Sequence, residues 1–319
     1  MQYHKLKLTT FVLALLAFGC DSNDDPVTGG TSVATPSIKE APYYFSFTTG
    51  AAVSDVPDVI LKMVGQSYTV ALNAAANISA AVRGDSSDFA SATYTMSTDM
   101  LEFDTDTNYV IGDNWMDIST YNFADHSISN NGTFYFVRAA DYSIVKLLVD
   151  SATSTQFNLK VAVSSDGSSF PAATDLTFAY SADTQSPVSL TSGTVVAAPG
   201  DWHIGLITAP VAGAPFPMQS VIINYENNTQ VGVVSGQAFD AIDGALADIV
   251  WLSDTGTIRP LAYTGSNEVL TYSGAPDHAV YIVDPELVYI INTSGGMYKL
   301  QIVNYDQPSG IVEFTYAAL

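Results

Sequence analysis

Phe134-Tyr135-Phe136-Val137, followed by Tyr142 to Val149 with Lys146 inside it, returns later in the chain as Leu287-Val288-Tyr289-Ile290, followed by Met297 to Val303 with Lys299 inside it. Both are short runs of aromatic and β-branched residues separated by turn formers, the pattern of paired β-strands. Three further matches keep the same order. Ser46-Phe47-Thr48-Thr49-Gly50-Ala51-Ala52-Val53 is met again as Ser189-Leu190-Thr191-Ser192-Gly193-Thr194-Val195-Val196, Val70-Ala71-Leu72-Asn73 as Val221-Ile222-Ile223-Asn224, and Asp125-His126 as Asp277-His278. The offsets run 143, 151, 152 and 153 along the chain, and a slowly drifting offset over collinear matches is the mark of a duplicated module. The loop Ser164-Ser165-Asp166-Gly167-Ser168-Ser169 is the expected boundary between the copies.

The runs between these anchors are also strand-like: Tyr43–Phe47, Ser67–Leu72, Ser220–Tyr225, Val231–Ser235, Tyr281–Val283 and Ile311–Tyr316, each bounded by Gly, Pro, Asn or Asp. Phe157-Asn158-Leu159-Lys160-Val161 alternates with period two, so one face is buried and the other wet. Helical periodicity is nearly absent; only the Ala-rich stretch Asn73–Val82 competes with a strand assignment. The expected fold class is all-β, two tandem and mostly antiparallel domains.

Composition narrows the function classes. Of the 319 residues, 47% are hydrophobic and 13% charged, enough apolar surface for a core and against disorder along the whole length. Lys5 and Lys7 precede Cys20 and all 32 acidic residues follow it, so the chain beyond Cys20 carries 8 basic residues and a formal charge of −24. Nucleic acid is excluded as a partner, because phosphate contacts need clustered Lys and Arg. The apolar run Phe11–Phe18 is too short to span a bilayer and has the form of a secretory signal. It ends Gly19-Cys20, and Cys20 is the only cysteine, which resembles a bacterial lipoprotein cleavage box with Cys20 acylated. The polar stretch Asp21-Ser22-Asn23-Asp24-Asp25-Pro26, with Gly29-Gly30 beyond it, reads as a flexible linker. The expected organisation is therefore a signal peptide at 1–19, a lipidated tether at 20–40, a first β domain at 41–168 and a second at 169–319. The expected location is the outer membrane, through the lipid anchor, at the cell surface or its periplasmic face.

Three stretches resemble the HmuY family of haem-binding lipoproteins. Tyr43-Tyr44-Phe45-Ser46-Phe47-Thr48-Thr49-Gly50 is similar to that family's opening strand, and Asp201-Trp202-His203-Ile204-Gly205-Leu206 to its Trp-Asp-Ile-Ala-Phe strand, with His203 in place of the Asp. The third is the pattern Phe134–Asp141 and Lys146–Val149 beyond Trp115, with its second copy in Val288–Ile291, Gly296–Ile302 and Val312–Tyr316. The matches touch both halves of the chain. The resemblance implies a non-enzymatic protein that captures haem or a related porphyrin outside the cell, holds it by two axial side chains and passes it to an outer-membrane receptor.

The same resemblance directs attention to particular donors. The family's histidine position falls near Thr120, which is no haem ligand, and its other position falls within Tyr94–Met100. Relatives that use methionine imply Met96 or Met100 paired with Met116; His126 lies a few residues later and reaches the same pocket if its loop folds back. In the second copy the candidates are His278 and His203, with Met218 and Met297 the only thioethers there. Each has an ordinary alternative: the methionines fill gaps in a core, His126 and His278 sit in solvated turns after an Asp, and His203 packs on a strand. The haem propionates are repelled by a chain this acidic, but salt screens that repulsion and ring burial outweighs it.

Asp104-Thr105-Asp106-Thr107-Asn108 opens like a calcium loop, yet Tyr109 stands where the turn Gly is needed and Trp115 where the bidentate Glu is needed. No nucleophile elbow, zinc helix or phosphate loop is present. The competing expectation, from a different class, is a surface adhesion or carbohydrate-contact module that keeps the duplicated β fold without iron ligands.

Overall fold

A computed structural model describes residues 29–64, 67–105, 107–180, 185–196, 202–209, 217–244, 249–255, 258–273 and 281–319. The expected signal peptide, Cys20 and the first part of the expected tether lie outside them. Among the described residues the fold is all-β with only short 3-10 turns, as the strand-like runs imply. In order the strands are β1 (Thr31–Ala34), β2 (Tyr43–Ser46), β3 (Ala51–Val53), β4 (Val59–Val64), β5 (Ser67–Leu72), β6 (Ser79–Arg83), β7 (Met116–Asn122) and β8 (Ser127–Asn130). There follow β9 (Phe134–Arg138), β10 (Ile144–Thr153), β11 (Gln156–Ser164), β12 (Thr174–Ala179), β13 (Gln185–Ser189), β14 (Thr194–Val195), β15 (Ile204–Ala209) and β16 (Met218–Ile223). The last are β17 (Gln230–Ser235), β18 (Thr271–Tyr272), β19 (Tyr281–Ile282), β20 (Leu287–Thr293), β21 (Gly296–Asp306) and β22 (Ile311–Ala318).

These strands form two units of the same plan. The first unit has a larger sheet in the order β6-β9-β10-β11-β12, with the hairpin β7–β8 added along β10, and a smaller sheet in the order β5-β4-β13-β14. The second unit repeats both as β17-β20-β21-β22-β1 and β16-β15-β2-β3. Even the irregularities recur: β10 bulges between Val149 and Ser151 and β21 between Ile302 and Asn304, each adding local twist where the sheet bends.

The division into domains at residue 168 is corrected by this pairing. The N-terminal strands do not join the unit that follows them in sequence. Thr31 pairs with Tyr316 and Phe45 with Ile204, so residues 31–53 complete the second unit. Likewise Thr174 pairs with Val161 and Val188 with Val59, so residues 174–195 complete the first. The unit that folds is thus the sequence repeat shifted by one hairpin, and the ring of two is closed by the N-terminus. The tether is shortened for the same reason. Residues 31–40, polar in composition, donate Thr35 N–H to the Val312 carbonyl and Ile38 N–H to the Gly310 carbonyl, both at 2.9 Å, and Ile38 is fully buried.

Alternation along the strands builds two cores. Val59, Leu61, Val70, Tyr135, Leu147, Phe157 and Val188 meet in the first, and Phe45, Phe47, Ile204, Leu206, Tyr289, Ile302 and Phe314 in the second. Successive side chains of a strand point to opposite faces, so β2 serves both: Phe45 enters the second core while Tyr44 turns to the first and packs on Trp202 with ring centroids 4.9 Å apart.

The outer face of each larger sheet is covered by a loop with a short 3-10 turn, Ser86–Asp88 in one unit and Phe239–Ala241 in the other. The matched lysines seen in the sequence pin these loops. Lys146 donates to the carbonyls of Phe89, Ala90 and Ala92 at 2.7, 3.2 and 3.0 Å, and Lys299 to those of Phe239 and Ile242 at 2.8 and 3.0 Å. Each ammonium also lies over a phenylalanine ring, 4.6 Å from the centroid of Phe170 or Phe239.

The Asn73–Val82 stretch resolves into both of its readings. Ala74–Ala76 is a 3-10 turn capped by the Asn73 side chain and ended by Asn77 at φ 64°, and β6 follows. Its repeat partner, Tyr225–Asn227, is capped by Asn224 and ended by Asn228 at φ 62°. Asn tolerates this left-handed conformation better than any other residue except Gly.

Candidate functional site

Among the described residues, Met96 and Met100 lie apart from Met116 and His126. Met96 and Met100 lie in the loop after β6, 58% and 76% exposed, on a segment held by the Arg83–Asp99 ion pair at 2.8 Å and by Thr95 N–H donating to Asp99 at 2.7 Å. That loop adjoins the outer face of the larger sheet, whereas Met116, at the start of β7, packs against the first core. His126 occupies the turn between β7 and β8 at φ 55°; its Nδ1 shares a 2.6 Å hydrogen bond with the Tyr121 hydroxyl, and its carbonyl accepts from the Tyr68 hydroxyl. Met116 pairs with Asn130 at the far end of the β7–β8 hairpin, and His126 lies in the turn that joins the two strands. Two axial ligands of one iron must face the same atom from either side, and the Nδ1 of His126 is held by the Tyr121 hydroxyl. His278 lies outside the described residues.

His203 has a structural explanation that the repeat makes visible. Its Nδ1 accepts the Phe47 N–H at 3.0 Å. The matching residue in the first unit is Asp58, whose carboxylate accepts the N–H of Leu190, the partner of Phe47, and that of Ala140, each at 2.7 Å. Both side chains secure a hairpin from elsewhere in the chain, β2–β3 for His203 and β13–β14 for Asp58. Met218 is buried in β16, and Met297 is partly exposed on β21. Burial pushes the Asp58 carboxyl up to about 6, against the backbone hydrogen bonds that favour its ionised form.

A second matched pair of carboxylates leads to a cleft. Asp104 accepts Leu72 N–H and Val110 N–H, both at 2.7 Å, and Asp254 accepts Ile223 N–H at 2.9 Å. Asp254 also takes the Arg259 guanidinium at 3.0 Å, and Arg259 crosses to the first unit, donating to the carbonyls of Ala74 and Ala75. Among the described residues Asp104 has no such partner. Instead a cleft of about 420 Å³ opens beside it, between the smaller sheet of the first unit and the 3-10 turn Tyr225–Asn227 of the second. It is lined by Lys62, Asp104, Tyr109 and Gln185 from one unit and by Tyr225 and Glu226 from the other. The Lys62 ammonium lies 5.2 Å from the centroid of the Tyr109 ring. Burial raises the Asp104 carboxyl to about 6, with its two backbone donors and the nearby Lys62 charge acting the other way.

Each unit carries in addition an open cleft beside its lysine-pinned loop, one lined by Arg83, Asp85 and Asp88, the other by Gln237, Asp240 and Glu286. None of these three clefts is lined by a methionine or a histidine. The residues of the central cleft escaped the sequence reading, which tested Asp104–Asn108 only as a calcium loop. The available signal was the recurrence of Asp104-Thr105 with Thr107 as Asp254-Thr255 with Thr257, followed by Tyr109 in one copy and Arg259 in the other. No family model, no curated protein and no solved structure matches the chain.

Proposed function

We propose that the protein is a non-enzymatic, surface-anchored binding protein whose ligand site is the cleft between its two β units. The observation that carries this reading is the composition of that cleft: both repeats contribute to it, and a buried carboxylate, a lysine and two tyrosines converge on one water-accessible space. Sites of this kind, concave and placed between domains with a few directed polar groups, are where small ligands are commonly held. Of the two expectations raised by the sequence, this reading follows the one without iron ligands, because no methionine or histidine lines the cleft; haem capture rests on the family resemblance.

Two titrations of the purified chain test the choice. Haemin is expected to give no sharpened Soret band, and a band lost on Met116→Ala or His126→Ala would restore the haem reading. A panel of small amines, amino acids, sugars and organic acids is screened by thermal shift. Stabilisation by at least one class is expected, and Gln185→Trp, which fills the cleft, is expected to remove it. No stabilisation by any class, or stabilisation unaffected by Gln185→Trp, would refute the assignment of the site. Membrane anchoring is tested separately: Cys20→Ala is expected to leave the protein out of the outer-membrane fraction.

A further inference from the structure

The cleft has a filled counterpart in the same molecule, and the counterpart shows what chemistry fits it. Among the described residues, the loops that begin at Asp104 and Asp254 share their turn hydrogen bonds and differ just after them, where Val110 N–H reaches Asp104 and the second unit has Pro260. Thr105 N–H donates to the Asn108 carbonyl and Thr255 N–H to the Ile258 carbonyl, both at 2.8 Å, and the threonine hydroxyls accept Asn108 N–H at 3.1 Å and Ile258 N–H at 2.9 Å. Each Asp accepts the last N–H of the equivalent strand, from Leu72 or Ile223. The facing 3-10 turns match as well, with the same Asn at each end. The residue five beyond the Asp therefore stands at equivalent positions in the two units. In the second unit it is Arg259, buried, its guanidinium bridging Asp254 to the carbonyls of Ala74 and Ala75. In the first it is Tyr109, 39% exposed, and the bridging space between Asp104 and the turn at Tyr225 and Glu226 is the cleft of about 420 Å³.

We infer that this cleft binds a guanidinium-bearing small molecule, whose planar cation takes in the first unit the position that the Arg259 side chain takes in the second. This deepens the proposed function and rests on its assignment of the cleft. A guanidinium presents a fixed fork of N–H donors, suited to a carboxylate on one side and peptide carbonyls on the other. Asp104 supplies the first through Oδ2, which accepts Leu72 N–H as Asp254 Oδ2 accepts Ile223 N–H while also taking Arg259. The carbonyls of Tyr225 and Glu226 are the repeat partners of those at Ala74 and Ala75, and the Glu226 side chain, standing where the second unit faces only a methyl group, adds a second negative charge at the rim. Among the described residues Lys62 is beyond ion-pair distance of both carboxylates, though its charge favours the ionised forms of Asp104 and Glu226, and its ammonium lies over Tyr109, placed to meet an anionic group at the far end of the ligand. The ligand class is thus a guanidinium with a short apolar stem and, for best fit, a carboxylate.

Calorimetric titration of the full chain with L-arginine, agmatine and urea tests this, in about 150 mM salt so that the screening length is about 8 Å and the general attraction of an acidic surface is suppressed. L-arginine and agmatine are expected to bind and neutral urea not to. Glu226→Gln is expected to weaken both at least tenfold, and Tyr109→Arg, which builds the second unit's bridge into the first, to abolish binding. Lys62→Met is expected to weaken L-arginine and to strengthen agmatine, whose far end is an ammonium that Lys62 repels. Absence of binding to the unaltered chain, or binding that survives both Glu226→Gln and Tyr109→Arg, would overturn the inference. If Tyr109→Arg does not fold, the exposed Glu226→Gln decides alone. Should another class of solute stabilise the protein in a manner lost with Gln185→Trp while guanidinium compounds do not bind, the cleft stands as the site and the ligand class falls.

Discussion

Replacing Phe45 by alanine puts the closure of the fold to a quantitative test. Phe45 belongs to β2, near the start of the chain, yet it is 1% exposed in the core of the second unit. Its ring lies 5.2 Å from each of the rings of Phe47, Phe314 and Tyr316, two of which come from the last strand. Removing a phenylalanine so enclosed costs about 3–5 kcal/mol, the lost transfer free energy plus the cavity left behind. Against a stability of about 5–15 kcal/mol for an ordinary domain, that is a large share. The expected signature is spatial as well as energetic. Hydrogen exchange followed by mass spectrometry should lose protection along β15, β16 and β20–β22, more than 150 residues away in sequence, while β9–β11 stay protected. Val188→Ala in β13 is the mirror experiment: fully buried in the first core, it should cost roughly 2 kcal/mol and loosen the first unit instead. If Phe45→Ala loosens β4–β11 and spares the second unit, the N-terminal hairpin does not pair as described and the account of the closed ring is wrong.

Other outcomes follow from single contacts. Asp58 and Asp104 have folded-state pKa values raised to about 6 from an ordinary 3.8, so the folded form holds protons that the unfolded chain has released, and stability falls as pH rises from about 4 to about 6. Calorimetry should therefore find a higher Tm at pH 5 than at pH 7.5, with a shallower difference in Asp104→Asn; an equal or lower Tm at pH 5 would contradict it. His203→Ala leaves the buried Phe47 N–H without an acceptor and should cost about 1–3 kcal/mol in denaturant unfolding, with His203→Asp, the first unit's own solution, recovering part of it. Lys146→Met removes the donor to three carbonyls and should destabilise the chain by about 3 kcal/mol, with protease cleavage appearing first in residues 85–92.

Much of this was legible from local pattern. Ser67–Leu72 was read as a strand with the bounds it has, and Phe157-Asn158-Leu159-Lys160-Val161 announced its buried face by alternation. The matched Lys146 and Lys299 already marked equivalent places, though their role as pins for a loop carbonyl cluster needed the third dimension. Short edge strands such as β1 and β14 were missed, because polar residues on an edge strand pair through backbone groups that composition does not reveal. The central cleft was hidden for a similar reason: Lys62, Asp104 and Glu226 are far apart in sequence, and only packing of one unit on the other makes them neighbours.

The sequence by itself determined that the protein is β-built, that it is a duplication, and which residues in one copy answer to which in the other, since strand propensity, alternation and self-similarity are properties of neighbours along the chain. It could not say where a unit begins. In a tandem repeat any phase has the same internal pattern, and the choice depends on which edges find each other. Only the tertiary structure decided that Thr31 would lie beside Tyr316, 285 positions away, and that the second copy's arginine would fill a space the first copy leaves open. Pairing across such separations is set by the burial and hydrogen bonding of whole sheets, which no local stretch of residues encodes.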